Sequence, residues 1–401
     1  MNPKILFILL LSAGFLPGTG RHSSSTPGKR PSARPVTAQV STDDPGPRPA
    51  DEHKTLPIGA AAPDFSLPGT DGKTYSLSSF KSARVLVIIF TCNHCPTAQA
   101  YEDRMIRLTR DYSNKGVAVL AIMPNDPKSI QLSELGYTDM GDSFEEMMKR
   151  AAQKHFNFPY LFDGATEETS RKYGPIATPH VFIFDKERKL RYSGRIDDVE
   201  KPTGSPTSQD TRNAIEALLN NKEVPVTTTK VFGCSIKWTE KSDWIGKARE
   251  EWAKEPVSLD TIGEEGLKGL LRNKSDKLLL INVWATWCGP CVTEFPDFIT
   301  MYRMYRRRDF EFISISADEP GKKEKALQFL QKEQASNTNY IFSLDNKYKL
   351  IEAIDPNWQG ALPYTLLVAP GGKIAYSKQG AVDPDEMKKM IVDNPLIGRY
   401  Y

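Results

Sequence analysis

A chain of 401 residues exceeds what a single hydrophobic core ordinarily organises, so two domains are the default expectation. Its 39% hydrophobic and 26% charged residues suit soluble globular domains. A formal net charge of +3, with no basic stripe interleaved with aromatics, argues against a nucleic-acid partner.

Residues 1–20 read as an export signal: Lys4 gives a short positive start, Ile5 to Leu16 form an apolar run, and Gly18, Thr19 and Gly20 offer a small-residue cleavage site. The run is shorter than the roughly 20 residues a helix needs to cross a bilayer, so no stable insertion is expected after cleavage. An uncleaved anchor is the alternative. From residue 21 to 55 the chain carries six prolines and five serines, the composition of a disordered tether.

The first folded region is expected over 56–225. Val85 to Phe90 is a continuous apolar run of strand length that leads into Cys92-Asn93-His94-Cys95. "TAQAYEDRMIRLTRDY" then mixes apolar and charged residues at helical spacing, and "VAVLAIMP" is strand-like. Further on, Thr178-Pro179 precedes a strand, a turn at "DKERK", a second strand and a helix over Asp210 to Asn220. A connection follows over 226–257. It holds Cys234 in "KVFGCSIKW", and Trp244, Ala248 and Trp252 at the spacing of a helical packing face.

Residues 258–401 repeat the pattern. Leu278 to Trp284 is the apolar strand, and Cys288-Gly289-Pro290-Cys291 closes it. "VTEFPDFITMYRMYRRR" is helical with Pro296 as a kink, and "FEFISISAD" is the next strand. Leu362-Pro363 opens a hairpin around "APGGK", and Asp385 to Val392 ends the copy as a helix. Both copies run βαβ and then ββα.

Four of the five cysteines fall in the two Cys-x-x-Cys pairs, a distribution that suggests redox chemistry rather than stapling. A cysteine at a helix amino terminus has its thiolate stabilised by the dipole and free N–H groups, and the thiolate is the nucleophile of disulfide exchange. Cys92 and Cys288 are the expected attackers, Cys95 and Cys291 the resolving thiols. Glu294, three residues after Cys291, is placed to move the resolving thiol's proton, with Glu102 a weaker counterpart in the first copy. His94 sets an imidazole beside the first pair. Cys234 is open between a third redox thiol and an inert one.

"WATWCGPCVTEFP" resembles the active-site segment of the thioredoxin superfamily, and within it the exported thiol-disulfide oxidoreductases of the TlpA type, through Trp287, Cys288, Cys291, Glu294 and Pro296. The first copy resembles the peroxiredoxin-related AhpC/TSA proteins, in particular a subgroup with Cys-Asn-His-Cys-Pro after the strand and a segment like "FGCSIKW". The resemblance implies α/β class and two tandem thioredoxin-like domains, each a three-layer α/β/α sandwich around a mixed central sheet. It implies cis peptide bonds before Pro179 and Pro363, with Thr178, Pro179, Leu362, Pro363 and Trp287 meeting substrate, and a buried Glu294 that tunes the thiols.

No cofactor or metal is called for. The expected partners are thiol- or disulfide-containing proteins and a membrane electron donor, in a periplasmic or other extracytoplasmic compartment. Gly289-Pro290 is the dipeptide of thioredoxin, and Asn93-His94 resembles the His-containing dipeptide of the oxidant DsbA. The first pair should therefore be the more oxidising and receive electrons from the second if the two communicate; the full span between those proteins, about 150 mV, is about 7 kcal/mol. Two rivals are weighed. A peroxidase carries Pro-x-x-x-Thr/Ser-x-x-Cys, but counting back from Cys92 gives Ile89 and Val85, and from Cys95 gives Cys92 and Ile88. A zinc module is disfavoured because each pair sits in its own complete copy.

Overall fold

The computed structural model of the chain describes residues 54–201 and 204–399; the export signal and nearly all of the tether lie outside the described residues. Each half is organised by one fully buried strand, apolar at every position in the first half and at all but Asn282 in the second. Such a strand sends alternate side chains to opposite faces, so it is stable only with both faces covered. In the first half Val85, Val87 and Ile89 join one buried cluster with Tyr101, Met105 and Ile215, while Leu86, Ile88 and Phe90 join another with Tyr173 and Phe182. In the second half Leu278, Leu280 and Trp284 face one cluster, and Leu279, Ile281 and Val283 the other.

The first half begins with a small antiparallel ribbon, β1 (Ser66–Pro68) with β2 (Thr74–Ser76). The order continues β3 (Val85–Phe90), α1 (Pro96–Tyr112), β4 (Val117–Met123), α2 (Phe144–Lys154), β5 (Tyr160–Phe162), α3 (Glu168–Tyr173), β6 (His180–Phe184), β7 (Leu190–Gly194) and α4 (Asp210–Leu219). The sheet order is β5-β4-β3-β6-β7. β3 is parallel to β4 and antiparallel to β6, so the sheet is mixed. After α5 (Ser242–Lys254) the second half runs β8 (Asp260–Ile262), α6 (Glu264–Leu271), β9 (Leu278–Trp284), α7 (Gly289–Tyr305), β10 (Phe310–Ser316), α8 (Lys323–Lys332), β11 (Thr338–Phe342), α9 (Lys347–Ile354), β12 (Tyr364–Ala369), β13 (Lys373–Gln379) and α10 (Pro384–Asp393). Its sheet order is β13-β12-β9-β10-β11-β8, again mixed, with β12 antiparallel to β9. These are the two tandem α/β units with mixed sheets predicted from the sequence. α7 runs through Pro296 as one helix.

Two stretches differ from the sequence reading. Residues 227–241 do not hang between the halves. Thr227 and Thr229 pair with Ser193, Lys237 pairs with Asn125 and Asp126, and Ile236 and Trp238 are buried. In α5 the fully buried residue is Ile245; Trp244 and Trp252 are only half-buried, with Arg303 stacked 4.8 Å over the Trp252 ring. The isoleucine wins the buried position because it is small enough to be enclosed, while each indole keeps an edge toward solvent.

The two halves pack against each other through the far end of α7. Tyr305 donates its hydroxyl to Thr138 O at 2.8 Å, the Arg308 guanidinium lies 3.8 Å over the Tyr137 ring, and Arg399 reaches Asp139 at 2.9 Å and Gln99 Oε1 at 3.1 Å. Cys288 is at the opposite end of that helix, about 25 Å away at 1.5 Å per residue.

Within the first half, the carboxylate of Glu102 on α1 receives a two-pronged pair from Arg150 on α2 at 2.7 and 2.8 Å, both side chains being buried. Removing one member strands the other charge in a low dielectric. Glu102→Ala should lower stability by about 3–5 kcal/mol in urea unfolding; a loss below about 1 kcal/mol, the range of an exposed pair, would contradict this reading.

Candidate active sites

The two halves can be aligned by strand register rather than by motif. In the first, Phe90 pairs with His180, the residue after Pro179; in the second, Val283 pairs with Tyr364, the residue after Pro363. Both prolines follow cis peptide bonds. Five residues after Phe90 is Cys95, and five after Val283 is Cys288. Both are N-caps. Cys95 Sγ accepts from Ala98 N at 3.4 Å as α1 begins, and Cys288 Sγ accepts from Cys291 N at 3.3 Å as α7 begins. The structure thus places Cys95, not Cys92, at the helix amino terminus of the first site. Cys92 lies before the helix, and Ala98 stands where Cys291 stands in the second copy. The physical reason is Pro96: its fixed φ and missing N–H suit the first helical position, and the helix starts there. The same register puts Tyr101 opposite Glu294, while Glu102 is committed to Arg150.

Around Cys95 the first site is closed. Cys92 and Cys95 are buried, and Cys234 is half-exposed. Cys92 Sγ lies 3.1 Å from Thr178 Oγ1; Cys95 Sγ lies 3.3 Å from Thr178 O, to which its protonated form donates, and accepts from Cys234 N at 3.4 Å. Burial opposes ionisation of Cys95, but hydrogen bonds from the Cys234 and Cys92 thiols, the charge of His94 and the Ala98 N–H outweigh it, holding this thiol well below its ordinary range. Burial, and then the neighbouring Cys95 thiolate and Asp142, push Cys92 well up. The hydrogen bond to Cys95, followed by burial, does the same to Cys234. Cys95 is therefore the sulfur of the three whose ionisation this site favours most, with the other two placed to donate to it.

His94 is held by a residue that the sequence reading missed. Asp142 accepts from the His94 ring Nδ1 at 2.6 Å, from Asn93 N at 2.9 Å, from His94 N at 3.0 Å and from Asn125 Nδ2 at 2.7 Å. Burial works against an imidazolium here, yet the charge and hydrogen bond of Asp142 prevail and raise the His94 pKa. Ligand atoms of Cys92, His94 and Asp142 lie within 4.8 Å of one another. Four donors already occupy the lone pairs of Asp142, so this cluster reads as a hydrogen-bond network around the loop. Asp318 has the equivalent task in the second half, accepting from Thr286 N at 3.0 Å and Thr286 Oγ1 at 2.8 Å. Each aspartate follows the second core strand of its half, but nothing in the sequence separates it from an ordinary turn acid.

The second site is built differently. Cys288 and Cys291 are joined as a disulfide, and Trp287 beside them is 58% exposed, with Lys347 Nζ 4.8 Å over its ring. Glu294 is buried one turn beyond Cys291. It accepts from Asn282 Nδ2 at 3.2 Å and from Val382 N at 3.0 Å. Asn282 occupies a core position of β9, and its amide also donates to Thr365 Oγ1 across the strand pair at 3.1 Å. Burial pushes the Glu294 carboxyl up to about 7, the two hydrogen bonds only partly opposing it. Leu362-Pro363 lies just beyond the end of β9, on the side where Cys288 follows.

Residues 58–193 match the AhpC/TSA family, and residues 260–393 match the Redoxin family. The chain is a tandem thioredoxin-fold oxidoreductase. Among its relatives, the thiol-disulfide oxidoreductase ResA of Bacillus cereus is 28% identical over 128 residues, 32% of this chain and 69% of ResA. ResA of Bacillus subtilis is 28% identical over 104 residues, 26% of this chain and 54% of ResA, so the match spans between half and about two thirds of these relatives. Among solved structures, an uncharacterized conserved protein from Geobacillus kaustophilus is 38% identical with a TM-score of 0.41, covering 46% of this chain and 93% of its own. A hypothetical protein from Sinorhizobium meliloti 1021 is 32% identical with a TM-score of 0.42, covering 46% and 97%. In the AhpC/TSA-type half, Cys92 stands three residues before the capping cysteine, the place of the Thr/Ser in the peroxidase pattern.

Glu294 supplies a pH test. Its carboxyl ionises near its ordinary 4.5 in the unfolded chain but near 7 in the folded one. Between those values the folded state keeps a proton the unfolded state has lost, so this group's contribution to stability falls as pH rises through the window. At about 1.4 kcal/mol per pH unit, the stability difference between wild type and Glu294→Gln should change by up to about 3 kcal/mol between about pH 5 and pH 8, with wild type losing ground. Parallel pH profiles in urea unfolding would show that Glu294 titrates normally.

Proposed function

We propose that the chain is an exported thiol-disulfide oxidoreductase that exchanges disulfides of protein substrates at two sites, with Cys288 and Cys291 acting as a reductase and the first site as the more oxidising. The observation that carries this reading is the duplicated geometry: a cysteine capping a helix, five residues past the strand position that pairs next to a cis proline. In the reduced second site the Cys288 thiolate attacks a substrate disulfide, one substrate thiolate leaves, and Cys288 is joined to the other half. Cys291 gives up its proton and attacks Cys288, releasing the second substrate thiol and forming the Cys288–Cys291 bond. The substrate disulfide gains two electrons and leaves as two thiolates, which take up the Cys291 proton, by way of Glu294, and one proton from water. Glu294, titrating near neutrality on the same helix, is the acceptor for the Cys291 proton. Trp287 and the Leu362-Pro363 loop border Cys288 and serve as the substrate contact.

In the first site the attacking role falls to Cys95 rather than Cys92. A thiol donor, expected to be a membrane protein, would return electrons to Cys288–Cys291. The halves meet at the end of α7 remote from Cys288, so the two sites act without direct contact between their sulfurs. The signal read in residues 1–20 supports an extracytoplasmic location, with an uncleaved anchor as the alternative. Among the described residues no helix is long and apolar enough to cross a membrane.

Insulin reduction with a small-thiol donor tests the division of labour. Cys288→Ser should fall to about a tenth of the wild-type rate or less, since it removes the nucleophile, while Cys95→Ser should keep more than about half. Equal rates for wild type and Cys288→Ser would remove the second site from the mechanism.

A further inference from the structure

The segment carrying Cys234 crosses the first site and pairs with it at a single bridge. Thr178, the residue before the cis proline, forms an isolated antiparallel bridge with Cys234, and Thr178 N donates to Cys234 O at 2.9 Å. Cys234 N in turn donates to Cys95 Sγ at 3.4 Å. The approach depends on Gly233, whose φ is +138°; a Cβ there would sit 2.0 Å from Thr178 O. Downstream the segment is anchored by buried Ile236 and Trp238 and by the hydrogen bond from Lys237 N to Asn125 Oδ1 at 2.9 Å. The corresponding backbone in the second half is uncovered: among the described residues no strand or bridge pairs with Leu362. Of the three cysteines at the first site, Cys95 and Cys92 are buried, and Cys234 alone is partly exposed.

We propose that Cys234 is the redox partner of Cys95, a cysteine of the chain held where a substrate cysteine would lie, and the sulfur through which the buried site exchanges with disulfides outside. The proposal rests on the reading of the first site as a thiol-disulfide site. An incoming protein or small-molecule disulfide, R–S–S–R′, meets Cys234 first. The Cys234 proton passes to the Cys95 thiolate, and Cys234 attacks; its bond to the R sulfur forms as the S–S bond of the reagent breaks. R′S⁻ leaves and takes the proton from Cys95. Cys95 then attacks the Cys234 sulfur, forming Cys95–Cys234 and releasing RS⁻. Two electrons have moved to the reagent, and the one negative charge has passed from Cys95 to RS⁻. In reverse, an external thiolate attacks the Cys234 sulfur, and the expelled group is Cys95, the better-stabilised thiolate and so the faster leaving group.

The full-length chain equilibrated with glutathione and its disulfide, acid-quenched, alkylated and digested with trypsin without reduction, tests this directly. Cys92 and Cys95 fall on peptide 85–104, and Cys234 falls on peptide 231–237. The two peptides should be joined in Cys92→Ser and separate in Cys95→Ser. Gly233→Ala, which keeps all three thiols, should lower the joined yield by about tenfold or more through loss of effective concentration. In wild type sampled over time, the joined peptides should precede any disulfide within 85–104, a reading that needs no substitution. The proposal is overturned if Cys92→Ser yields only glutathione on Cys95, if joining survives in Cys95→Ser, or if wild type never passes through the joined form. A disulfide confined to Cys92 and Cys95 would overturn this proposal and leave the thiol-disulfide reading standing. The absence of any disulfide among the three at every glutathione ratio would overturn both.

Discussion

Everything chemical in this molecule depends on one local arrangement: a cysteine sulfur accepting the free N–H groups at the start of a helix that a fully buried strand delivers. A helix begins with unpaired donors that need an acceptor, and a thiolate is an acceptor that gains reactivity by being stabilised there. The strand fixes where the sulfur stands, because β3 and β9 are locked between two apolar layers and cannot slip without exposing one of them. The cis-proline loop then enters beside it, carried by the antiparallel neighbour of the same strand.

On this shared frame the two sites diverge through their buried polar groups. The first surrounds Cys95 with thiol and backbone donors and with the His94 ring held by Asp142, whose charge raises the imidazole pKa; all of these favour a thiolate at Cys95. The second has Trp287 in the register position of His94, and its Asp318 binds the Thr286 backbone and hydroxyl rather than an imidazole. It instead keeps a carboxyl within the core layer beside its disulfide, and Asn282 and Val382 supply too little hydrogen bonding to hold that carboxyl ionised at its ordinary pH. One environment stabilises a thiolate, and the other stores a proton near neutrality. The contact through Tyr305 and Thr138 ties the Gln99 and Asn93 side of the first site to the second half, while the Cys288 end of α7 stays clear for visitors.

Much of this was legible in the sequence. The nearly continuous apolar runs at Val85 and Leu278 required strands covered on both faces, and each ended at a Cys-x-x-Cys pair, so the tandem repeat followed from local pattern and the mixed-sheet fold from the resemblance that the pairs carry. Superimposing one pair on the other misled by three residues, because motif spacing says nothing about where a helix starts. The signal that does was present in Pro96 directly after Cys95, against Pro290 one position further into α7. Glu294 could be named because its helix carries it one turn past Cys291. Asp142 and Cys234 could not be placed, since they reach the site from 47 and 139 residues beyond Cys95 and only tertiary structure brings them there. The indoles of α5 misled in another way, since spacing marks a face but not which residue is small enough to be enclosed.

The surroundings of Cys95 favour its reduced form more than those of Cys288 favour theirs. The most direct measurement is the reduction potential of each site in the intact chain, read by equilibration in defined thiol-disulfide buffers followed by site-resolved mass spectrometry. The first site should lie above the second by some tens of mV and up to about 150 mV, with about 30 mV for each 1.4 kcal/mol of differential stabilisation. A first-site potential equal to or below that of Cys288–Cys291 would contradict it.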